Sequence, residues 1–207
     1  MVNLLRRREL VQASGGGTIY TPVYELAEAT STAGYDTEVQ LFDEPKTFTI
    51  LCEAYWSNRN WGSSAFRYLL GLGTGSYLFS FGNIRADTEE YINGEYSSTA
   101  YRYTALTLNS STSGRKGFSM FSRAASTTKT THRFAIRYNH ITRKVEGFSD
   151  AVSSSHPPTA RWYELDADVV SSGTLKLNHS SGSTINILKI YDVLLPDADI
   201  ESFVWPT

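Results

Sequence analysis

Two tryptophans sit among side chains suited to holding a polar ligand: Trp61 follows Asn58, Arg59 and Asn60, and Trp162 stands between Arg161 and Tyr163. An indole offers a flat apolar platform for the C–H face of a pyranose, while neighbouring amide and guanidinium groups fix its hydroxyls. Tyr91 and Asn93, beside the turn pair Asn93-Gly94, make a third set of the same kind. Asn58, Arg59, Trp61, Tyr91, Asn93, Arg161 and Trp162 are therefore the candidate ligand contacts. The competing reading has both tryptophans capping a core at strand ends.

Hydrolysis of a glycosidic bond needs two flanking carboxyl groups, one to protonate the leaving oxygen and one to attack or to activate water. The run Glu164-Leu-Asp-Ala-Asp168 sets carboxylates at alternate positions, whereas Asp87-Thr-Glu-Glu90 has no such alternation. For both, solvated acidic residues are the alternative. Nucleophilic chemistry has less to stand on. No Gly-x-Ser-x-Gly turn occurs, and Cys52 falls on the apolar side of a strand pattern, where a thiol is buried and inert. His132, His140, His156 and His179 lack metal-ligand spacing and take surface or turn roles, with His132 half exposed ahead of a strand. Gly71-Leu-Gly-Thr-Gly75 has no following helix to supply anion-binding amides and is a turn. Asn109-Ser-Ser and Asn178-His-Ser match the glycosylation acceptor pattern and are polar turns.

Strands must position these groups. The 207 residues suffice for one domain, and a chain rich in Tyr, Phe, Thr, Ser and Gly with only 19% charged residues has the composition of twisted strands joined by polar turns. Phe48, Ile50, Cys52, Ala54 and Trp56 alternate with polar neighbours, which marks a half-buried strand from Thr47 to Trp56. The same period returns in Tyr77, Phe79, Phe81 and in Phe134, Ile136, Tyr138, and shorter apolar runs occupy 68–72, 103–108, 118–121, 145–148, 175–177 and 185–193. Many short strands with turn residues between them indicate a sandwich. Near the end, Pro196 with Asp197 and Asp199 signals a helical turn. At the start, residues 3–12 have a helical composition and Gly15-Gly-Gly17 breaks it, so 1–17 is an appendage and linker and 18–207 the domain.

The formal net charge of -2 gives no global attraction for nucleic acid or anionic lipid. A single cysteine excludes an intrachain disulfide. No apolar run approaches the roughly 20 residues that span a bilayer, so membrane insertion is not expected; no secretory signal is visible, and a mature form with its export signal trimmed would read the same. The chain reads as cytoplasmic as expressed, or as part of a virion.

Three segments resemble the concanavalin A-like lectin/glucanase superfamily, particularly its laminin-G-like branch. They are Val39-Gln-Leu-Phe-Asp-Glu-Pro-Lys-Thr-Phe-Thr-Ile-Leu, Thr131-His-Arg-Phe-Ala-Ile-Arg-Tyr-Asn with Lys144-Val-Glu-Gly-Phe, and Ile187-Leu-Lys-Ile-Tyr-Asp-Val-Leu-Leu-Pro-Asp-Ala-Asp-Ile-Glu-Ser-Phe. The resemblance implies an all-β, two-sheet antiparallel jelly roll. It also implies a catalytic strand of the form Glu-x-Asp-x-Glu, which Glu164, Asp166 and Asp168 match except that the last residue is one methylene short. Related sandwiches bind calcium near a sheet edge, a role that falls to Asp36, Glu38 and Asp43. The N-terminal Asn-Leu-Leu-Arg-Arg-Arg-Glu-Leu is similar to the starts of gut bacterial and phage proteins, which implies assembly through the N-terminal helix.

Three functions follow as expectations. The first is a non-catalytic, lectin-like module for a glycan or another surface ligand, in a virion or cell-surface assembly. The second is a glycan hydrolase or lyase acting through Glu164, Asp166 or Asp168. The third is a structural virion module that forms homo-oligomers through the N-terminal helix.

Overall fold

The computed structural model describes residues 18–26, 35–56, 68–72, 79–83, 88–92, 94–100, 104–108, 116–120, 131–150, 161–177 and 183–206. The appendage at 1–17, the Trp61 set and Asn93 lie outside them. In chain order the strands are β1 (Tyr24–Leu26), β2 (Tyr35–Gln40), β3 (Phe48–Trp56), β4 (Tyr68–Leu72), β5 (Phe79–Asn83), β6 (Thr88–Ile92) and β7 (Glu95–Ala100). They continue as β8 (Thr104–Leu108), β9 (Lys116–Ser119), β10 (Thr131–Asn139), β11 (Lys144–Ser149), β12 (Arg161–Glu164), β13 (Thr174–Leu177) and β14 (Ser183–Tyr191), and helix α1 (Asp197–Val204) follows.

These strands form two sheets, a six-stranded one in the order β1-β14-β3-β10-β11-β12 and an eight-stranded one in the order β2-β13-β4-β5-β8-β9-β6-β7. The fold is an all-β sandwich, as the sequence implied. Pairing is antiparallel with one exception, the parallel contact of β6 with β9.

The core follows from side-chain alternation. Phe48, Ile50, Cys52 and Ala54 of β3 and Phe134, Ile136 and Tyr138 of β10 face Leu70, Phe79, Leu108, Phe118, Leu175 and Leu177 of the other sheet. Gly147 of β11 leaves room for the Phe118 ring, since a Cβ there would run into it. His132 is not half exposed ahead of a strand; it belongs to β10, is buried, and places Nδ1 3.0 Å from Asp150 Oδ1. Gly71 and Leu72 belong to β4 rather than to a turn.

The β3 strand is buried on both faces rather than one, because α1 covers the outer face of the six-stranded sheet. Leu51, Ala135, Phe148 and Tyr191 form a second cluster there with Leu195, Ile200 and Val204. The expected helical turn is a full eight-residue helix, with Pro196 just before it and Asp197 and Asp199 in its first turn, where the positive helix end favours them. Two arginines fasten it. Arg137 bonds Glu146 (2.6 Å), Asp197 (2.7 Å) and the Leu195 carbonyl (3.0 Å), and Arg133 bonds Glu53 (2.7 Å) and the Phe203 carbonyl (3.3 Å).

No described element packs in this way on the outer face of the eight-stranded sheet.

Candidate functional site

The candidate ligand residues that the structure describes meet at one edge of the sandwich, where the β6–β7 hairpin of the larger sheet reaches β12, the edge strand of the smaller. The Gly94 N–H donates to the Trp162 carbonyl at 2.9 Å. Gly94 has φ +85°, a conformation open to glycine at little cost, and a Cβ at this position would stand 2.5 Å from Trp162 Cη2 and 2.6 Å from Cζ3. The turn therefore lies flat against the indole.

Arg161, Trp162 and Tyr163 do not act as one platform, because they are strand residues and alternate. Tyr163 pairs with Val145 and points into the core, whereas Trp162 pairs with Glu146 and points the other way. The buried Tyr163 hydroxyl accepts the Leu108 N–H (2.6 Å) and donates to the Leu108 carbonyl (2.7 Å), which joins the two sheets. Burial pushes this phenol far above the usual tyrosine range, so it remains a donor at any physiological pH. Lys144 Nζ lies 4.9 Å from the Trp162 ring centroid and 2.8 Å from Glu146 Oε1, so the indole is already engaged by a cation on its own sheet.

Among the described residues, the most exposed aromatic ring belongs to a residue the sequence did not single out. Tyr96, paired across the hairpin with Tyr91, is 60% exposed. The two rings meet edge to face at 6.0 Å, and Tyr91 packs in turn on Tyr163 at 6.2 Å. Lys116 Nζ stands 5.6 Å from the Tyr91 centroid, leaving the outer tyrosine as the ring presented to solvent. The signal was available: Asn93-Gly94 is a strong hairpin marker, and a hairpin there places residues on its two sides opposite one another.

The carboxylate run does not form the alternating strand that the resemblance implied. β12 ends at Glu164, with one further bond in the same register from the Leu165 N–H to the Arg143 carbonyl (3.0 Å). Asp166 and Asp168 lie in the irregular stretch beyond, where Arg143 bonds the Asp166 carbonyl (2.9 Å) and Asp168 Oδ1 (3.3 Å). All three carboxylates are exposed. The proposed calcium ligands are likewise committed elsewhere. Asp36 accepts from Thr174 (2.9 Å) and from the Glu38 N–H (2.9 Å), and Asp43 pairs with Lys46. Asp36, Glu38 and Asp43 do not converge, and among the described residues no three His, Cys, Asp or Glu are grouped as a metal site.

No family model matches the sequence, and no curated protein matches it. Solved structures do. The Ruminococcus gnavus IT-sialidase CBM40 superposes with a TM-score of 0.57 at 14% identity, over 89% of this chain and 100% of that one. The same module bound to α2,3-sialyllactose gives 0.56 at 13% identity, over 89% and 99%. A leech intramolecular trans-sialidase complexed with 2,7-anhydro-Neu5Ac gives 0.52 at 13% identity, covering 91% of this chain and 28% of the enzyme. The likeness is one of fold.

Proposed function

We propose that this chain is a non-catalytic carbohydrate-binding module of the concanavalin A-like, lectin type. The observation that carries the reading is the solvent-facing Tyr96 ring, backed edge to face by Tyr91 with Lys116 alongside, at the end of a hairpin on the sandwich edge. An exposed ring held by a second ring is a platform for a pyranose face, and the nearby polar groups supply orientation. The fold likeness supports the same reading, since the matched bacterial module is a complete unit of the same extent whose structure holds a sialylated sugar. The hydrolase alternative gains no such support: its three carboxylates share no strand face, and Asp168 is paired with Arg143.

A glycan array that includes sialyllactose, probed with the wild type and with Tyr96→Ala, tests this. Stacking on one aromatic ring contributes up to about 1.5 kcal/mol, so the variant is expected to bind on the order of tenfold more weakly. A wild-type protein that binds no glycan overturns the proposal.

A further inference from the structure

We propose that Trp162, whose type and neighbours mark it as a ligand platform, is instead a positioning residue that acts through Gly94 to hold the β6–β7 hairpin and present Tyr96 to a sugar. The inference rests on the carbohydrate reading above and assigns the two aromatics different work.

Among the described residues the hairpin is held at the margin of its sheet. β7 is the outermost strand, and β6 joins β9 through two described register pairs, Glu89 with Lys116 and Glu90 with Gly117. A two-stranded hairpin is marginal in water without further packing. What completes it is the far edge of the Trp162 indole against Gly94, the 2.9 Å bond from the Gly94 N–H to the Trp162 carbonyl, and the Tyr91 ring on Tyr163. These contacts cross from one sheet to the other and meet at the turn from which Tyr96 projects. A sugar stacked on the indole face that Lys144 covers would have to displace this lysine, which Glu146 also holds. At Tyr96 the ring is open.

The test uses the full chain with Trp162→Ala, Gly94→Ala, Trp162→Phe, Tyr96→Ala and the pairs Gly94→Ala/Trp162→Phe and Trp162→Ala/Tyr96→Ala. Two readouts are taken: amide hydrogen exchange over residues 88–100 without any sugar, and binding to the same glycan array. Trp162→Ala and Gly94→Ala are each expected to speed exchange in the hairpin by on the order of tenfold, with core strands unchanged, and to weaken array binding by a similar factor. A methyl at residue 94 meets the ring edge that phenylalanine lacks, so Trp162→Phe in the Gly94→Ala background restores part of both signals. The backbone strain at φ +85° is common to that pair and to Gly94→Ala, so their difference, set against the effect of Trp162→Phe alone, reports the ring contact. In the Tyr96→Ala background, Trp162→Ala causes no further loss of binding.

Loss of binding on Trp162→Ala with hairpin exchange unchanged would make Trp162 a direct ligand contact and overturn the proposal. Faster exchange with binding unchanged would overturn it too, because Tyr96 would then not be the platform. A wild type that binds no array glycan overturns the carbohydrate reading itself, whatever the exchange data show.

Discussion

Removing one oxygen atom from the core tests how the two sheets are joined. Tyr163→Phe keeps the ring, and with it the contacts to Phe118 at 5.5 Å and Tyr91 at 6.2 Å, but deletes the hydroxyl that both accepts from and donates to Leu108. Leu108 ends β8 and is fully buried, so no water replaces the lost partner. Each buried backbone group left unsatisfied costs about 1–3 kcal/mol, and two are stranded here, giving an expected loss of about 3 kcal/mol. For a chain of this size that corresponds to roughly 6–12 °C in Tm. Urea denaturation followed by tryptophan fluorescence, with calorimetry alongside, should show a lower midpoint at an unchanged slope, since the surface exposed on unfolding is the same. A loss below about 0.5 kcal/mol would refute the argument, because the Leu108 groups would then have to be satisfied without the hydroxyl.

Other outcomes follow from the same structure. Burial pushes the Glu146 carboxyl up, but hydrogen bonds and charges from Arg137 and Lys144 more than offset it, so the group titrates below the usual 4.5. Its contribution is complete above that value and is lost as pH falls through the lower folded pKa; below the usual 4.5 the wild type should therefore lose stability more steeply with falling pH than Glu146→Gln in acid urea titrations. Burial, then the charge of Glu53, pushes the Cys52 thiol well up, so Ellman's reagent should label it only as denaturant unfolds the chain, and prompt labelling of native protein would contradict its place in the core. Millimolar calcium should leave Tm unchanged in a thermal scan, because Asp36 and Asp43 are already held by Thr174 and Lys46; a rise of several degrees would reinstate the calcium site. Replacing Glu164, Asp166 and Asp168 together by their amides should leave array binding intact.

The parts of the fold legible in the sequence were those whose burial is one-sided and long. Phe48 to Ala54 and Phe134 to Tyr138 alternate over whole strands, and both enter the core as their spacing implied. The β6 and β7 strands, with sequences TEEYI and EYSSTA, at and next to the edge of their sheet, carry no apolar alternation and so gave no strand signal of their own. β12 hid for a different reason: four residues, Arg-Trp-Tyr-Glu, are too few to show a period. The burial of Thr49 and Leu51 was invisible locally because it comes from a helix more than a hundred residues later, fastened by Thr49 itself, whose hydroxyl donates to the Val193 carbonyl and accepts the Leu195 N–H. Tyr91 and Trp162 were chosen by type alone. That Gly94 rests on Trp162 while Tyr91 packs on the neighbouring Tyr163 depends on how two separate sheets overlap, and a linear reading has no access to that.

The strand order of the larger sheet carries one more consequence. The β6–β7 hairpin is made before β8 and β9 yet lies outboard of both, pairing with β9 in parallel. A nascent chain leaving the ribosome thus exposes this ribbon while the edge that will receive it has not been synthesised, and its indole support on β12 comes later still. The hairpin can take its final place only once β9 and β12 have both emerged.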